Sequence, residues 1–431
     1  MIHPSLSRTV AIQLSMWLII TAQTYHGVII QIQATEHNIS TLGVGVITSF
    51  FYFGYLISFL ITKRFLAAWG YIRGHAFMTT LYALAALLFP IYPGVVMWSL
   101  LYGICGLAIG GMFVVFETWL NFITDNKGRG QIMAVYIIMV TLGKITGNYA
   151  FNYVGTFGYS HYSYITMFVL VSMLPLLTTM VKQPSKVISK FISFRSIYKI
   201  SPAAFIVLFF SQIGASSANS LGALLGKLMG FNSWYISHLL SVILLSAIIV
   251  QLPLGNISNK IDRRLVILWV LLFMTIGNLL LLASDINTPM FWLAMVMIGA
   301  SIYNFYPLAL AHMNDLIHEK HRTAIISQLL LVSGVGQIFG PMTTSYFMSE
   351  FNYRGFAIAL LIQALLMVLF LLNRLRIRRP TKSKIVRINF VADIPMAPSV
   401  DKPFRFHMPT IKFFKNIYKK GKQRPHSKAK K

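Results

Sequence analysis

Apolar residues in this chain run on for about twenty positions at a time, separated by short polar breaks. A helix rises about 1.5 Å per residue, so a run of that length spans the roughly 30 Å hydrocarbon core of a bilayer. Twelve runs qualify: Thr9–Ile32, Thr41–Ile61, Ala76–Tyr92, Val95–Leu120, Gly130–Tyr149, Tyr162–Met180, Ala203–Leu224, Tyr235–Asn256, Leu265–Ala283, Met290–His312, Thr323–Met348 and Gly355–Leu375. The first is too long for the apolar stretch of a cleaved leader, and no small-residue cleavage site follows it. The pattern predicts an all-α membrane protein with twelve transmembrane helices.

One stretch is written twice. Glu117–Gly147 ends one apolar run, crosses a charged loop and climbs the next. At a shift of 193 positions Asn121 falls on Asn314, Lys127 on Lys320, Arg129 on Arg322, Gly143 on Gly336, Gly147 on Gly340 and Lys144 on Gln337. A repeat in the same direction predicts two parallel six-helix halves with a binding site between them, an arrangement found in membrane transporters. The halves should be residues 1–181 and 202–375, joined by a basic cytoplasmic linker at 182–201. A basic tail at 376–431 is too polar to span and is expected to be disordered or attached to the anionic membrane surface.

Charge fixes the expected orientation. The net charge of +27 would suit a nucleic-acid binder, but its distribution does not. With Met1 inside, the inner loops hold sixteen basic residues and the outer loops only Lys227 and Arg354, the tail excluded. Such asymmetry is the positive-inside rule. It predicts both termini in the cytoplasm, a membrane-lipid environment and no nucleic-acid partner. The single cysteine, Cys105, has no partner for a disulfide and no metal-ligand spacing.

Several motifs resemble those of the major facilitator superfamily. The loop Gly255-Asn256-Ile257-Ser258-Asn259-Lys260-Ile261-Asp262-Arg263-Arg264 is similar to the superfamily's G-x-L-(A/S)-D-(R/K)-x-G-R-R signature. Asn259 stands where the acid is expected, and Asp262 where a glycine is. Glu117-x-Trp119-Leu120-Asn121, Arg129-Gly130, Tyr306-Pro307-Leu308-Ala309 with Asn314-Asp315, and Gly334-x-Gly336 with Gly340-Pro341 resemble the YcaD-like branch. The resemblance implies two bundles rocking about a cavity lined by the first, fourth, seventh and tenth helices. Asn259 questions the charge network that the signature acid normally joins.

Against that frame, Lys144 is the most distinctive residue. It lies inside a predicted span, where an unpaired ammonium facing lipid costs at least about 2.5–3.5 kcal/mol. Either it faces the cavity and binds an anionic group of the substrate, or it snorkels to headgroups or bonds to carbonyls. Asn148 shares its face and Gln337 is its repeat counterpart. Gln212, Ser216 and Asn219 form a polar stripe on the seventh helix. Tyr303 and Asn304 on the tenth can close a pocket, or simply pack. His26 is surrounded by polar residues on the first helix, whereas His238 and His312 sit nearer span ends. A buried histidine can relay protons or be a packed, hydrogen-bonded residue.

Glu117 is the only acid inside a predicted span. Its place near the inner end points to gating rather than proton coupling, with Arg129 as first partner and Arg73 as second. Arg263, Arg264 and Asp315 belong to the same inner gate. No metal-ligand, phosphate-loop or nucleophile-elbow motif is present, so no cofactor, no metal and no enzymatic activity are expected. The reading is a monomeric secondary transporter of a small polar or anionic solute in a bacterial inner membrane, working by alternating access with or without proton coupling. The alternatives are multidrug or metabolite efflux and, from another class, a polytopic membrane enzyme or receptor.

Overall fold

The computed structural model describes residues 5–123, 129–154, 158–178, 194–286, 288–317 and 319–377. Much of the predicted linker, the tail from 378 on, and the side chains of Lys127, Arg129, Lys320 and Arg322 lie outside them.

Among the described residues every regular element is a helix. In chain order these are α1 Ser5–Glu36, α2 Thr41–Trp69, α3 Tyr71–Leu88, α4 Val95–Ile123, α5 Arg129–Ala150, α6 Tyr159–Val171, α7 Leu174–Leu177 and α8 Phe194–Ile200. They continue as α9 Pro202–Leu228, α10 Ser233–Lys260, α11 Arg263–Ala283, α12 Pro289–Ile302, α13 Phe305–Asn314, α14 Glu319–Phe351 and α15 Arg354–Ile377. Two pairs are interrupted single rods. Between α6 and α7, Pro175 lacks an N–H and its ring crowds the carbonyl of Val171. Between α12 and α13, Pro307 withholds the bond that the Tyr303 carbonyl would have received, and the rod breaks at Tyr303–Asn304. The short α8 lies on the predicted linker. That leaves twelve rods among the described residues, in two parallel six-helix repeats, and eight of them are long and apolar enough over those residues to cross a membrane.

The solvent of these rods is visible in α11. Trp269, Leu272, Phe273, Ile276 and Leu279 are exposed on one face, while Val266, Ile267, Val270, Leu271, Met274 and Leu281 are buried on the other. A helix apolar on both faces suits a lipid surface, because the outer stripe has no water to meet. Other helices outlast their apolar runs. The second run was predicted to end at Ile61, but α2 continues through Lys63 and Arg64 to Trp69 and stops at Gly70, whose φ of 81° suits glycine. Basic residues at an interface keep a helix going while their charges reach water.

The repeat recurs in the packing. α5 lies against α1 as α14 lies against α9, and α4 contacts both α2 and α3 as the α12–α13 rod contacts α10 and α11. Closest approach falls on repeated glycines. A Cβ on Gly147 would lie 2.7 Å from the Thr21 carbonyl, and one on Gly340 would strike the Ser216 hydroxyl and the Ile213 carbonyl. Small residues allow such backbone approach between membrane helices. Hydroxyl pairs tie the same two interfaces: Thr21 to Thr146 at 2.7 Å, and Ser217 to Thr344 at 2.8 Å.

The halves meet unevenly. α2 and α14 touch over a long stretch, from Gly45 against Ser345 to Leu56 against Gly334. The pair related to them by the repeat, α5 and α10, is held chiefly at one end. There Asn152 donates to Ser237 Oγ at 2.7 Å, and Ser237 donates to the Asn148 carbonyl at 2.6 Å. At that end Gln31 of α1 also reaches into α9. Its Oε1 accepts from Ala223 N at 2.9 Å and Leu224 N at 3.2 Å, and its Nε2 donates to the Asn219 carbonyl at 3.4 Å. Lys227 closes the edge with an ion pair to Glu36 at 3.7 Å.

Candidate functional site

Below this closed end, both halves wall a cavity of about 220 Å³. A second space of about 280 Å³ adjoins it and shares Tyr55, Lys144, Asn219, Tyr303 and Gln337. Each wall follows from helical spacing. On α1, Ile20, Gln23, Thr24 and Gly27 recur at intervals of three and four, and on α5 Val140, Lys144 and Asn148 recur every fourth residue. α2 contributes Phe51, Tyr52 and Tyr55, and α4 contributes Tyr102, Ile109 and Phe113.

Lys144 lies at the junction of the two spaces. Its ammonium stands 5.4 Å from the centre of the Tyr303 ring, a cation–π contact between the halves. Among the described residues it has no carboxylate within salt-bridge reach and no hydrogen-bond partner. Around it the second half presents neutral polar groups that hold one another in place. Tyr303 donates to Asn219 Oδ1 at 2.9 Å, and Gln337 Nε2 donates to Gln212 Oε1 at 2.7 Å. The Gln337 carbonyl oxygen is buried without a partner among the described residues.

Six residues anticipated for this site line one or both spaces: Lys144, Asn148, Asn219, Tyr303 and Gln337, with Gln212 in the second. Three others lie elsewhere. His26 is fully buried in a cage of Tyr82, Phe89, Tyr102 and Tyr162, bonded to the Tyr82 hydroxyl at 3.0 Å. The polar residues near it in sequence sit on other faces of α1. Ser216 turns to α14, where its hydroxyl lies against Gly340 and donates to the Ile213 carbonyl. Asn304 is spent on the helix break, donating to the carbonyls of Ala247 and Ala300 at 3.0 and 2.7 Å. His238 is exposed and bonded to the Trp234 carbonyl at 2.6 Å.

The aromatic wall was not anticipated as part of the site. Its signal was there in the run FFYFGYLISF, where Tyr52 and Tyr55 sit three apart on one face. An apolar context hides it, because a tyrosine that packs and one that lines a cavity look alike in sequence.

At the far end from the Gln31 contact, the signature loop is folded around its arginines. Arg263 donates to Asp315 at 2.6 and 3.4 Å through two nitrogens, and also reaches Ser258 Oγ and Asn259 Oδ1. The acid missing at position 259 is thus supplied by the α13 terminus. Asp262 caps α11 by accepting from Arg264 N at 2.9 Å and pairs with the Arg264 guanidinium at 2.8 Å. Burial alone would raise the Asp262 carboxyl, but the hydrogen bonds and charge of Arg264 hold it below the usual carboxylate range. Glu117 accepts a hydrogen bond from the Tyr136 hydroxyl at 3.2 Å. Arg129, its expected partner, lies outside the described side chains, and Arg73 makes no ion pair among the described residues.

Twelve rods among the described residues, in two parallel repeats with a polar cavity walled by both, make up the major facilitator fold. The sequence agrees. Residues 204–416 match the Major Facilitator Superfamily model. The uncharacterized MFS-type transporter YcaD of Escherichia fergusonii is 23% identical over 393 residues, covering 89% of this chain and 99% of that protein. YcaD of Escherichia coli (strain 536) is 25% identical over 358 residues, covering 80% of this chain and 90% of that protein. Among solved structures, the nucleoside transporter NupG superposes with a TM-score of 0.68 at 14% identity, over 86% of this chain and 98% of its own. A D-xylose–proton symporter superposes with a TM-score of 0.67 at 12% identity, over 84% and 96%. The chain is an integral membrane protein that resembles the major facilitator superfamily transporters, YcaD among them.

Proposed function

We propose that this transporter moves a small polar or anionic solute across a bacterial cytoplasmic membrane by alternating access, with Lys144 as the anchor. The observation that carries this is an ammonium in a cavity shared by both halves, with only a ring face for company among the described residues. An uncompensated buried charge is costly, and a carboxylate or phosphate entering the cavity would relieve it. Gln23, Thr24 and Asn148 offer hydrogen bonds from the first half, and Asn219, Gln212 and Gln337 from the second. A solute held from both sides has a reason to couple their movement. The sixteen-to-two charge asymmetry supports cytoplasmic termini, and hence an inward end at the Arg263–Asp315 pair.

Efflux of cationic drugs is the weaker reading, because no carboxylate among the described residues lines either space. A thermal-stability screen of the purified protein against metabolites of different charge tests the proposal, since a ligand that binds the folded state raises its stability by mass action. Anionic or polar hits should lose about tenfold or more in affinity in Lys144→Gln, the expected loss for a charge-assisted hydrogen bond of about 1.5–3 kcal/mol. Cationic hits indifferent to that substitution would overturn the reading.

A further inference from the structure

The charged and polar groups occupy only part of the cavity. Phe51, Tyr52, Tyr55, Tyr102 and Phe113 make a continuous aromatic surface on α2 and α4, and Tyr303 supplies another ring beside Lys144. These side chains are fixed by one another. Phe51 packs on Tyr102 at 4.7 Å between centroids and lies parallel to Tyr55 at 6.4 Å, and Tyr55 meets Phe113 edge-on at 6.1 Å. Tyr52 is also tied across the halves, its hydroxyl accepting from Ser220 at 3.4 Å. Rings locked in this way present faces and edges at little entropic cost. A saturated or fully hydrated solute would leave that surface without a partner.

Among the described residues, Lys144 is the only charged one lining either space. A lone ammonium is a point charge without the two-pronged fork by which arginine grips a phosphate. It balances one negative charge, whereas a phosphate monoester carries close to two at neutral pH. The second half meets the same point with neutral amides and a phenol, which suit the second oxygen of a carboxylate. The two adjoining spaces, about 220 and 280 Å³, together fall in the lower part of the roughly 300–1,000 Å³ typical of drug-sized ligands, which favours a small solute.

Resting on the anion-transport reading, we infer that the solute class is a small aromatic monocarboxylate. Its carboxylate meets Lys144 beside Tyr303 and Asn219, and its ring lies along Tyr52, Tyr55 and Phe113.

The test is a dose-dependent thermal-shift series on the full-length protein in detergent. Benzoate and phenylacetate are compared with hexanoate, an aliphatic acid of similar size, with neutral benzamide and with the dianion phthalate. Benzoate or phenylacetate should give a saturable rise in melting temperature, with hexanoate about three- to tenfold weaker for want of ring contacts. Benzamide and phthalate should be weaker still. Lys144→Gln should remove the response to the aromatic acids, and Tyr55→Leu should narrow their advantage over hexanoate.

Equal or stronger binding of hexanoate, benzamide or phthalate would overturn the inference, as would no response to either aromatic acid. A Lys144-dependent response to hexanoate without ring preference would sink the aromatic class and leave the anion reading standing. A benzamide response that survives Lys144→Gln would sink both. The wild-type series decides the matter even if a variant fails to fold.

Discussion

At the residue scale, two charges are placed by opposite logic. Asp262 is satisfied twice over, as the cap of α11 and as the partner of Arg264. Removing it by Asp262→Ala should destabilise the protein by about 0.5–2 kcal/mol, the usual worth of a helix cap, measured as a fall in melting temperature at neutral pH. Because its carboxyl is held below the usual range, this stabilisation is fully present above the ordinary aspartate value near about 4. It is lost as pH falls through the depressed one. The gap between wild type and variant should therefore close on acidification, and a gap that widens would contradict the pairing. Lys144 is the reverse case, a charge that in the proposed reading is completed by the solute. Its position could be read in the sequence, since charges inside apolar runs are rare. Its surroundings could not. Whether Ser216 or Asn219 turns inward depends on how α9 is rotated against α14, and that rotation is set by Gly340 and its neighbours.

At the element scale, the run pattern was enough for the number and order of rods but not for their breaks. Pro307 is a residue that kinks or breaks helices, and the break falls four residues before it, where the missing N–H leaves its gap. Pro175 carried the same signal within a run read as continuous. The repeated glycines were legible as packing sites because close helix approach demands small side chains. Gly340→Val should force α14 away from α9, since its added carbons meet the Ser216 hydroxyl and a backbone carbonyl that cannot shift cheaply. A loss of about 1–3 kcal/mol is expected, seen as a lowered melting temperature. Unchanged stability would show that the two helices are more loosely packed.

The Gln31 contact belongs to the same scale. Amides in the body of a helix normally point along its own axis, yet Ala223 and Leu224 also donate to a side chain from the other half. The carbonyl that Gln31 meets is that of Asn219, whose side chain faces the cavity and bonds Tyr303. Nothing in the sequence marked Gln31 beyond its being polar in an apolar run. Gln31→Leu should loosen this end of the molecule, raising thiol labelling of a cysteine introduced at Ala223. Labelling no faster than in the parent would argue that the remaining contacts alone keep the halves together.

At the scale of the whole molecule, the two faces between the halves differ. α2 and α14 are sealed over a long stretch, while α5 and α10 meet mainly through Asn148, Asn152 and Ser237. The alternating access proposed for this chain would require the contacts at this end to separate and those around Arg263 and Asp315 to change in step. Arg263→Ala should therefore alter the rate of transport more than the equilibrium affinity for a bound anion, as an equal loss of affinity would contradict. The central claim is that occupancy of the Lys144 cavity governs which end is closed. Its most direct test is the distance distribution between spin labels on cysteines at Tyr153 and Tyr235, exposed positions on opposite halves beside the Asn152–Ser237 contact. The native Cys105 is buried and should stay unlabelled. Two distance populations are predicted, whose ratio shifts on adding a stabilising anion in the wild type and does not shift in Lys144→Gln. A single short distance unaffected by the anion, or an equal shift in the variant, would contradict it.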